Sequence, residues 1–222
     1  MFRGIFVTGT DTNVGKTVVS AALMLRYRDE APLRYWKPIQ TGIEQDDDSS
    51  EVTRLARCRD DEIFSCGVRL PRPVSPHLAA RLAGTRITVR PLVEQLREVR
   101  PAVSRWIVEG AGGVLVPINE RETMADLILA LHMPVLVVAR STLGTLNHTL
   151  LTIEGLRRRM VRVAGVVLVG PPDDENRQAI EQYGAAEVIA QMPRFDPLTP
   201  DALATWAAAE FDRAGVLFGC LR

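Results

Sequence analysis

The feature of this sequence that most limits its possible folds is a regular alternation of short apolar runs with longer segments of helical period. The apolar runs contain few polar residues, which is typical of strands buried on both faces of a parallel sheet. The pattern predicts an α/β fold in which a mainly parallel sheet has helices on both faces. The predicted strands are residues 4–8, 34–37, 106–109, 135–139, 163–169 and 188–191. The predicted helices are residues 15–29, 49–57, 76–83, 91–99, 123–131, 145–160, 175–183 and 200–214.

The length and the even patterning indicate one domain. With 222 residues and no internal repeat, low-complexity tract or long polar linker, the sequence predicts a single domain over residues 1–222. Residues 43–73 are the least periodic part of the chain, and we expect an excursion or a mobile loop there.

Composition excludes several classes of partner. The 27 basic and 27 acidic residues give a formal net charge of zero, which leaves no surplus to neutralise a nucleic-acid backbone. The longest apolar runs are of strand length, well under the roughly 20 residues of a membrane span, so we expect no membrane contact. The three cysteines form no paired motif and are typical of reduced thiols. We therefore expect a cytoplasmic protein.

Lysine is used at only two places, Lys16 and Lys37, among the 27 basic residues. Lysine presents a compact ammonium and arginine a planar fork, so the two are not interchangeable at a reactive site. A mutational bias towards arginine with two chance survivors is the plain alternative. Because both lysines lie in glycine-bearing motifs at predicted strand ends, we predict that both are catalytic.

The first motif, TGTDTNVGKT at residues 8–17, lies between a predicted strand and a predicted helix. Backbone N–H groups of such a loop converge on phosphates, its lysine reaches the outer phosphates and its threonine ligates Mg²⁺. The spacing is a variant, because Thr10 stands where the common pattern has its first glycine. A strand-to-helix turn with a chance lysine is the alternative. The predicted nucleotide contacts are Thr12, Asn13, Val14, Gly15, Lys16, Thr17 and Val18.

Two other predicted strands also end in polar, glycine-bearing sequence. Glu109 ends the strand WIVE, a position from which phosphate-loop proteins complete the Mg²⁺ shell. Lys37 ends another strand before Pro38, and ligands of parallel sheets bind at the carboxyl ends of strands. We therefore expect the Lys37 ammonium on the same side as Lys16. A strand-ending glutamate before a flexible turn is the alternative for Glu109.

Taken together, the motifs resemble the dethiobiotin synthetases, ATP-dependent enzymes of biotin synthesis. The matching stretches are residues 8–17, 37–42, 48–55, 75–77, 108–113 and 143–148. The resemblance implies a homodimeric P-loop fold that closes a ureido ring on 7,8-diaminononanoate with CO₂ and Mg·ATP. It also implies a carbamate, then a carbamic-phosphoric mixed anhydride, and no cofactor beyond Mg²⁺.

The resemblance further implies roles for individual residues. Lys16 would hold phosphates and Lys37 would stabilise charge during phosphoryl transfer. The implied Mg²⁺ ligands are Thr17, Asp48 and Glu109, with Glu51 left open as an alternative to Asp48. For Asp46 and Asp47 we predict helix-capping roles instead. The implied substrate contacts are Thr12, Lys37, Thr41, the backbone of Gly112, Gly113, Val114 and Leu115, and, from the neighbouring subunit, Leu143, Gly144 and Asn147.

One departure from the family pattern affects nucleobase selectivity. Many members have an asparagine that reads adenine after the strand at residues 163–169, where this chain reads Gly170-Pro171-Pro172. Asn13, Gly170 and the backbone near Pro193 are the candidate base or ribose contacts, and other triphosphates are possible substrates.

Two alternative functions remain. A nucleotide switch of the partition or septum-positioning type would have a lysine five residues before Lys16, where this chain has Asp11. A cobyrinate-type amide synthetase would need a glutaminase domain, for which 222 residues leave no room.

Overall fold

A computed structural model describes residues 2–99 and 105–221. Its centre is a seven-stranded sheet in the order β4-β2-β6-β1-β7-β8-β9, in which every described strand pair is parallel. A second sheet pairs β3 with β5. The strands are β1 Gly4–Gly9, β2 Leu33–Trp36, β3 Ile39–Thr41, β4 Ile63–Phe64, β5 Val68–Leu70, β6 Arg105–Gly113, β7 Val135–Arg140, β8 Val163–Val169 and β9 Val188–Met192.

Helices cover both faces of the large sheet. They are α1 Lys16–Tyr27, α2 Asp48–Ala56, α3 Pro76–Leu82, α4 Val89–Glu98, α5 Met124–Leu131, α6 Thr145–Arg157, α7 Asp174–Gly184, α8 Pro200–Glu210 and α9 Phe218–Leu221. Buried residues of α1, α2, α8 and α9 belong to one core cluster, and those of α3 to α7 belong to another. The predicted α/β architecture with helices on both faces is confirmed. The single domain over residues 1–222 stays a prediction.

The first strand shows why the sheet is buried on both sides. All six residues of β1 are buried, with Ile5 and Val7 in one core cluster and Phe6 in the other. Successive side chains of a strand point to opposite faces, so an unbroken apolar run fills both layers at once. Each such side chain contributes about 1.5–3 kcal/mol on burial.

Of the two possibilities predicted for segment 43–73, an excursion and a mobile loop, the structure shows an excursion made largely of regular elements. It contains α2, a short 3₁₀ turn at Asp60–Glu62, and strands β4 and β5. Strand β4 extends the large sheet beside β2, and β5 pairs with β3. Strands of two or three residues are too short to show an alternating pattern, and their pairing partners, not their own sequence, fix them.

The sheet order places three strand ends next to one another. Strand β1 lies between β6 and β7, and β6 also pairs with β2, so the carboxyl ends of β2, β6 and β1 meet at one edge. The chain leaves β1 towards one side of the sheet and returns to β7 on the other. Such a reversal of strand order opens a crevice in which ligands bind.

In the described part of the chain, every helix is too short or too polar to span a bilayer.

Candidate active site

The loop between β1 and α1 has the backbone of a phosphate-binding loop. Gly15 stands just before α1 with φ at 99°, and Asn13 also has a positive φ of 54°. A Cβ at Gly15 would lie 3.2 Å from a methyl group of Val169, so both conformation and space favour glycine there. The first N–H groups of a helix have no intrahelical partner, so the start of α1 at Lys16 presents free donors to an anion.

Lys16 is 7% exposed and folds back over this loop. Its Nζ donates to the carbonyl oxygen of Asp11 at 3.1 Å. Burial, and then the nearby charge of Lys37, lower the pKa of Lys16 below its usual value. The charged form of Lys16 is disfavoured there, so an anion that binds beside it stabilises that charge. This behaviour is expected of a phosphate-binding lysine.

Glu109 is the anchor of the site and is completely buried on β6. Its Oε2 accepts from Ser20 Oγ at 2.9 Å and from the Tyr35 hydroxyl at 3.0 Å. Its Oε1 accepts from Thr17 Oγ1 at 3.1 Å and from Lys37 Nζ at 2.8 Å. Donors from α1, from β2 and from Lys37 just after β2 thus fix both oxygens of the carboxylate. Burial, together with the charge of Glu109, raises the pKa of Tyr35.

The Lys37 ammonium bridges two carboxylates. Besides Glu109, its Nζ lies 2.5 Å from Asp48 Oδ2 and donates to the carbonyl of Gly110 at 3.1 Å. Burial alone would lower the pKa of Lys37, but the charges of Glu109 and Asp48 outweigh it, and the pKa is raised. Lys37 is therefore a fixed cation at neutral pH.

Asp48 begins α2 and meets the same cluster. Its Oδ1 lies 3.1 Å from Thr17 Oγ1 and shares the single hydroxyl proton of Thr17 with Glu109 Oε1. Burial would raise the pKa of Asp48, but the Lys37 charge and hydrogen bond lower it, so the group is ionised. The preceding Asp47 caps α2 by accepting from the N–H of Ser49 at 3.1 Å, as predicted.

The other carboxylate considered as a metal ligand has a different partner. Glu51 accepts two hydrogen bonds from the exposed Arg54, at 2.7 and 2.8 Å. The geometry therefore brings Asp48, not Glu51, to Thr17 and Glu109.

This cluster fits a Mg²⁺ ion. Thr17 supplies a hydroxyl that lies 3.1 Å from one carboxylate oxygen of Asp48 and 3.1 Å from one of Glu109, and oxygen is the ligand that Mg²⁺ prefers. Among the described residues, no three histidine, cysteine or carboxylate side chains form a closed metal cage. A site with few protein oxygens suits an ion that shares its shell with substrate phosphates and water.

A cavity of about 600 Å³ opens over the cluster. Lys16 and Lys37 both line it, so the structure brings the two lysines to one cavity. Its lining includes most of the residues expected to meet nucleotide, metal or substrate, namely Thr12, Asn13, Gly15, Thr17, Val18, Thr41, Asp48, Glu109 and Gly112.

Several expected substrate contacts lie outside this lining in the described chain. The carbonyl oxygens of Gly113 and Val114 accept from the N–H groups of Val116 and Ala125, and Leu115 is 58% exposed. Leu143, Gly144 and Asn147, expected to act across a subunit interface, are exposed on the surface at the start of α6. Their roles stay predictions.

A second cavity, of about 380 Å³, borders the same loop. Its lining is Thr12, Asn13, Val14, Gly15, Arg140, Val169 and Arg194. The candidate base contacts Gly170 and Pro193 are each one residue away from this lining. Gly170 has φ at 138°, and a Cβ there would lie 2.4 Å from Ser141 Oγ, so its backbone approaches β7 closely.

Sequence reasoning missed three side chains of the site. Ser20 follows Thr17 by three residues on α1, and Tyr35 of β2 precedes Lys37 by two residues in the strand predicted from the sequence, so each shares a face with a predicted residue. Helical and strand periodicity could therefore have identified both. Arg140 pairs with the loop residue Asp11 at 2.5 Å across β1 and β7, which only the sheet order reveals.

The parallel sheet, the loop between β1 and α1 and the hydroxyl–carboxylate cluster define a P-loop nucleotide-binding protein. A family profile described as an AAA domain matches residues 3–202. The chain is 50% identical over 202 residues to the ATP-dependent dethiobiotin synthetase BioD of Paramagnetospirillum magneticum, and the match covers 91% of this chain and 93% of that protein. It is 42% identical over 211 residues to the ATP-dependent dethiobiotin synthetase BioD of Agrobacterium fabrum, covering 95% of each. The chain belongs to the ATP-dependent dethiobiotin synthetase family.

Solved structures resemble the chain in fold. The septum site-determining protein MinD complexed with Mg-ADP from Pyrococcus horikoshii superposes with a TM-score of 0.58 at 14% identity, over 100% of this chain and 95% of that one. An identity this low shows the fold alone. The P-loop NTPase-like fold class predicted from the sequence is confirmed.

Proposed function

We propose that this chain binds Mg·ATP at the β1–α1 loop and converts 7,8-diaminononanoate and CO₂ into dethiobiotin, ADP and phosphate. The observation that supports this most directly is that Lys16 and Lys37 line one cavity of about 600 Å³. The space suits a triphosphate and a small diamine placed end to end. The names of the family relatives agree with this activity.

The proposed reaction proceeds in three steps. One substrate amine, as the free base, adds to CO₂ and loses a proton, giving a carbamate. A carbamate oxygen then takes the γ-phosphoryl group of ATP, releasing ADP and forming a carbamic-phosphoric anhydride. The second amine attacks the carbonyl carbon, phosphate leaves, and loss of one more proton yields the cyclic urea.

In this proposal the side chains act by positioning the substrates and neutralising charge, because the cavity is lined by groups that bind phosphate. Lys16 and the loop N–H groups hold the phosphates. Lys37 stabilises the negative charge shared by the transferring phosphoryl group and its carbamate acceptor. Thr17, Asp48 and Glu109 would hold Mg²⁺, which neutralises charge on the outer phosphates when it is bound.

The nucleoside is proposed to occupy the second cavity, which borders the same loop. Arg140 and Arg194 are among the residues that line that cavity. An arginine side chain only donates hydrogen bonds, and every nucleobase offers acceptors, so these two residues do not by themselves select adenine. A comparison of ATP, CTP and GTP as substrates identifies the preferred base.

A homodimer is part of the proposal. Leu143 is fully exposed and Leu115 is 58% exposed, and exposed leucines suit a subunit contact. The partner's α6 would then cover the carboxylate tail of the substrate. A cytoplasmic location is also proposed, since Cys58, Cys66 and Cys220 are free thiols.

The competing function is a nucleotide switch whose output is association with a partner. Its support is the fold shared with MinD. Against it stands Asp11, an acid paired with Arg140 at the place where such switches have a second lysine.

The deciding experiment measures phosphate release by the purified protein with and without the diamine plus bicarbonate. We expect release to depend on both additions and dethiobiotin to accumulate in equal amount. Release that ignores the diamine would overturn the proposal and favour the switch.

A further inference from the structure

Gln40 is a buried side chain of the main cavity to which no role has been given above. It is the middle residue of β3, is 3% exposed and lines the cavity of about 600 Å³. Its Nε2 donates to the carbonyl oxygens of Thr41 at 3.4 Å and Asp46 at 3.3 Å. These bonds tie β3 to the turn that leads into α2.

The two carbonyl partners fix the orientation of the Gln40 amide. A carbonyl oxygen only accepts hydrogen bonds, so the nitrogen of the amide must face Thr41 and Asp46. The side-chain oxygen is thereby turned the other way. Within residues 2–99 and 105–221, this Oε1 atom is buried and has no hydrogen-bond partner. A buried acceptor left unpaired costs about 1–3 kcal/mol, so a ligand that donates to it gains affinity.

The chemistry of an amide oxygen limits what this ligand can be. Phosphates and the carboxylate tail of the substrate are acceptors and are repelled by it, whereas an amine presents N–H donors. The nucleobase also has donors, but the second cavity proposed for the nucleoside is lined by other described residues. In the main cavity, the ligand with N–H groups is the diamine.

We infer that Gln40 is a positioning residue for the diamine, with its side-chain oxygen accepting an N–H from one of the two amines. This inference rests on the proposed function. Gln40 lies in β3, three residues after Lys37, which directly follows β2. The short segment from β2 to β3 therefore carries both the cation for phosphoryl transfer and the amide that orients the amine.

The test compares Gln40→Met with Gln95→Met. Methionine keeps the length of glutamine but has no amide group. Gln95 lies on α4 outside the lining of the main cavity, and its Oε1 is also buried without a partner among the described residues. One net hydrogen bond of about 0.7–1.4 kcal/mol corresponds to a change of roughly threefold to tenfold in affinity. We expect Gln40→Met to weaken diamine binding by that factor while ATP binding stays within twofold, and Gln95→Met to change neither.

Two substrate analogues separate a direct contact from a structural effect. The analogues 7-aminononanoate and 8-aminononanoate each lack one of the two amines. A direct contact predicts that Gln40→Met weakens binding of one analogue and leaves the other within twofold, because the second analogue lacks the contacting amine. Equal weakening of both analogues, or of neither, would overturn the inference. Gln40→Leu, read in the same way, replaces Gln40→Met should the thioether variant not fold.

The outcomes also keep the two proposals apart. A wild-type protein that neither binds nor cyclises the diamine overturns the proposed function and this inference with it. A wild-type protein that cyclises the diamine, together with equal effects on both analogues, overturns the inference alone.

Discussion

The two lysines form a matched pair for testing how the site is built, because each is 7% exposed and both line one cavity. Replacing either by methionine keeps most of the stem and removes the ammonium. Lys37 Nζ lies 2.5 Å from Asp48 and 2.8 Å from Glu109, whereas Lys16 Nζ donates to a neutral carbonyl. We expect both substitutions to abolish turnover but only Lys37→Met to destabilise the fold.

The magnitude follows from the partners left behind. Removing one member of a buried ion pair costs about 3–5 kcal/mol. The lower end applies to Lys37→Met, because the Asp48 side chain keeps 24% exposure and Glu109 still accepts from Ser20 and Tyr35. A loss of about 3 kcal/mol lowers the Tm by roughly 6–12 °C for a chain of this size. Lys16→Met removes a cation whose pKa burial lowers, so its Tm should stay within about 2 °C of the wild type or rise.

Scanning calorimetry of the three proteins in EDTA near neutral pH measures these differences. Adding Mg²⁺ should then stabilise Lys37→Met more than the wild type, because a second cation replaces the lost ammonium between the same carboxylates. Equal losses of Tm in both variants, or a larger loss in Lys16→Met, would refute the reasoning from ion pairs.

Three further predictions concern the same site. The loss of stability in Lys37→Met, measured as the difference in free energy of unfolding from the wild type, should shrink in acid. The folded-state pKa of Asp48 lies below its unfolded value, so the Lys37–Asp48 ion pair stabilises the fold above about pH 4, and this stabilisation is lost as the pH falls through the lower pKa. Urea unfolding at a series of pH values measures the change. Asp48→Ala should raise the Mg²⁺ concentration needed for half-maximal phosphate release at least severalfold and Glu51→Ala should not; the reverse result would move the ligand by three residues. Gly15→Ala should cost about 1–2 kcal/mol and abolish binding of an ATP analogue, whereas Gly84→Ala, at a positive φ with open space around it, should cost no more and leave binding intact.

Sequence patterns predicted the large elements well because those elements are buried on both faces. The six apolar runs became β1, β2, β6, β7, β8 and β9, and the order of these strands in the sheet brought Lys37, Glu109 and the loop to one edge. Strands β3, β4 and β5 were missed, since two or three residues show no periodicity and depend on pairing with distant segments. The short helix α9 was missed for the same reason of length.

Within the site, residue identity was easier to predict than residue partners. Glycine, lysine and threonine in the loop have chemistry that follows from the motif. The bond between Lys37 and Asp48 joins β2 to the start of α2, and no local pattern specifies how those elements approach each other. Gln40 was likewise invisible, because an unpaired oxygen is a property of its surroundings and not of its sequence neighbours.

The two cavities share only loop residues, Thr12, Asn13 and Gly15, among the residues that line them. The proposed nucleoside site is thus separate from the cavity in which the phosphoryl group is transferred and the ring is closed. Substituting Arg194 should change the nucleotide preference without disturbing ring closure. Nucleotide preference and product chemistry can therefore be engineered, and can change in evolution, independently.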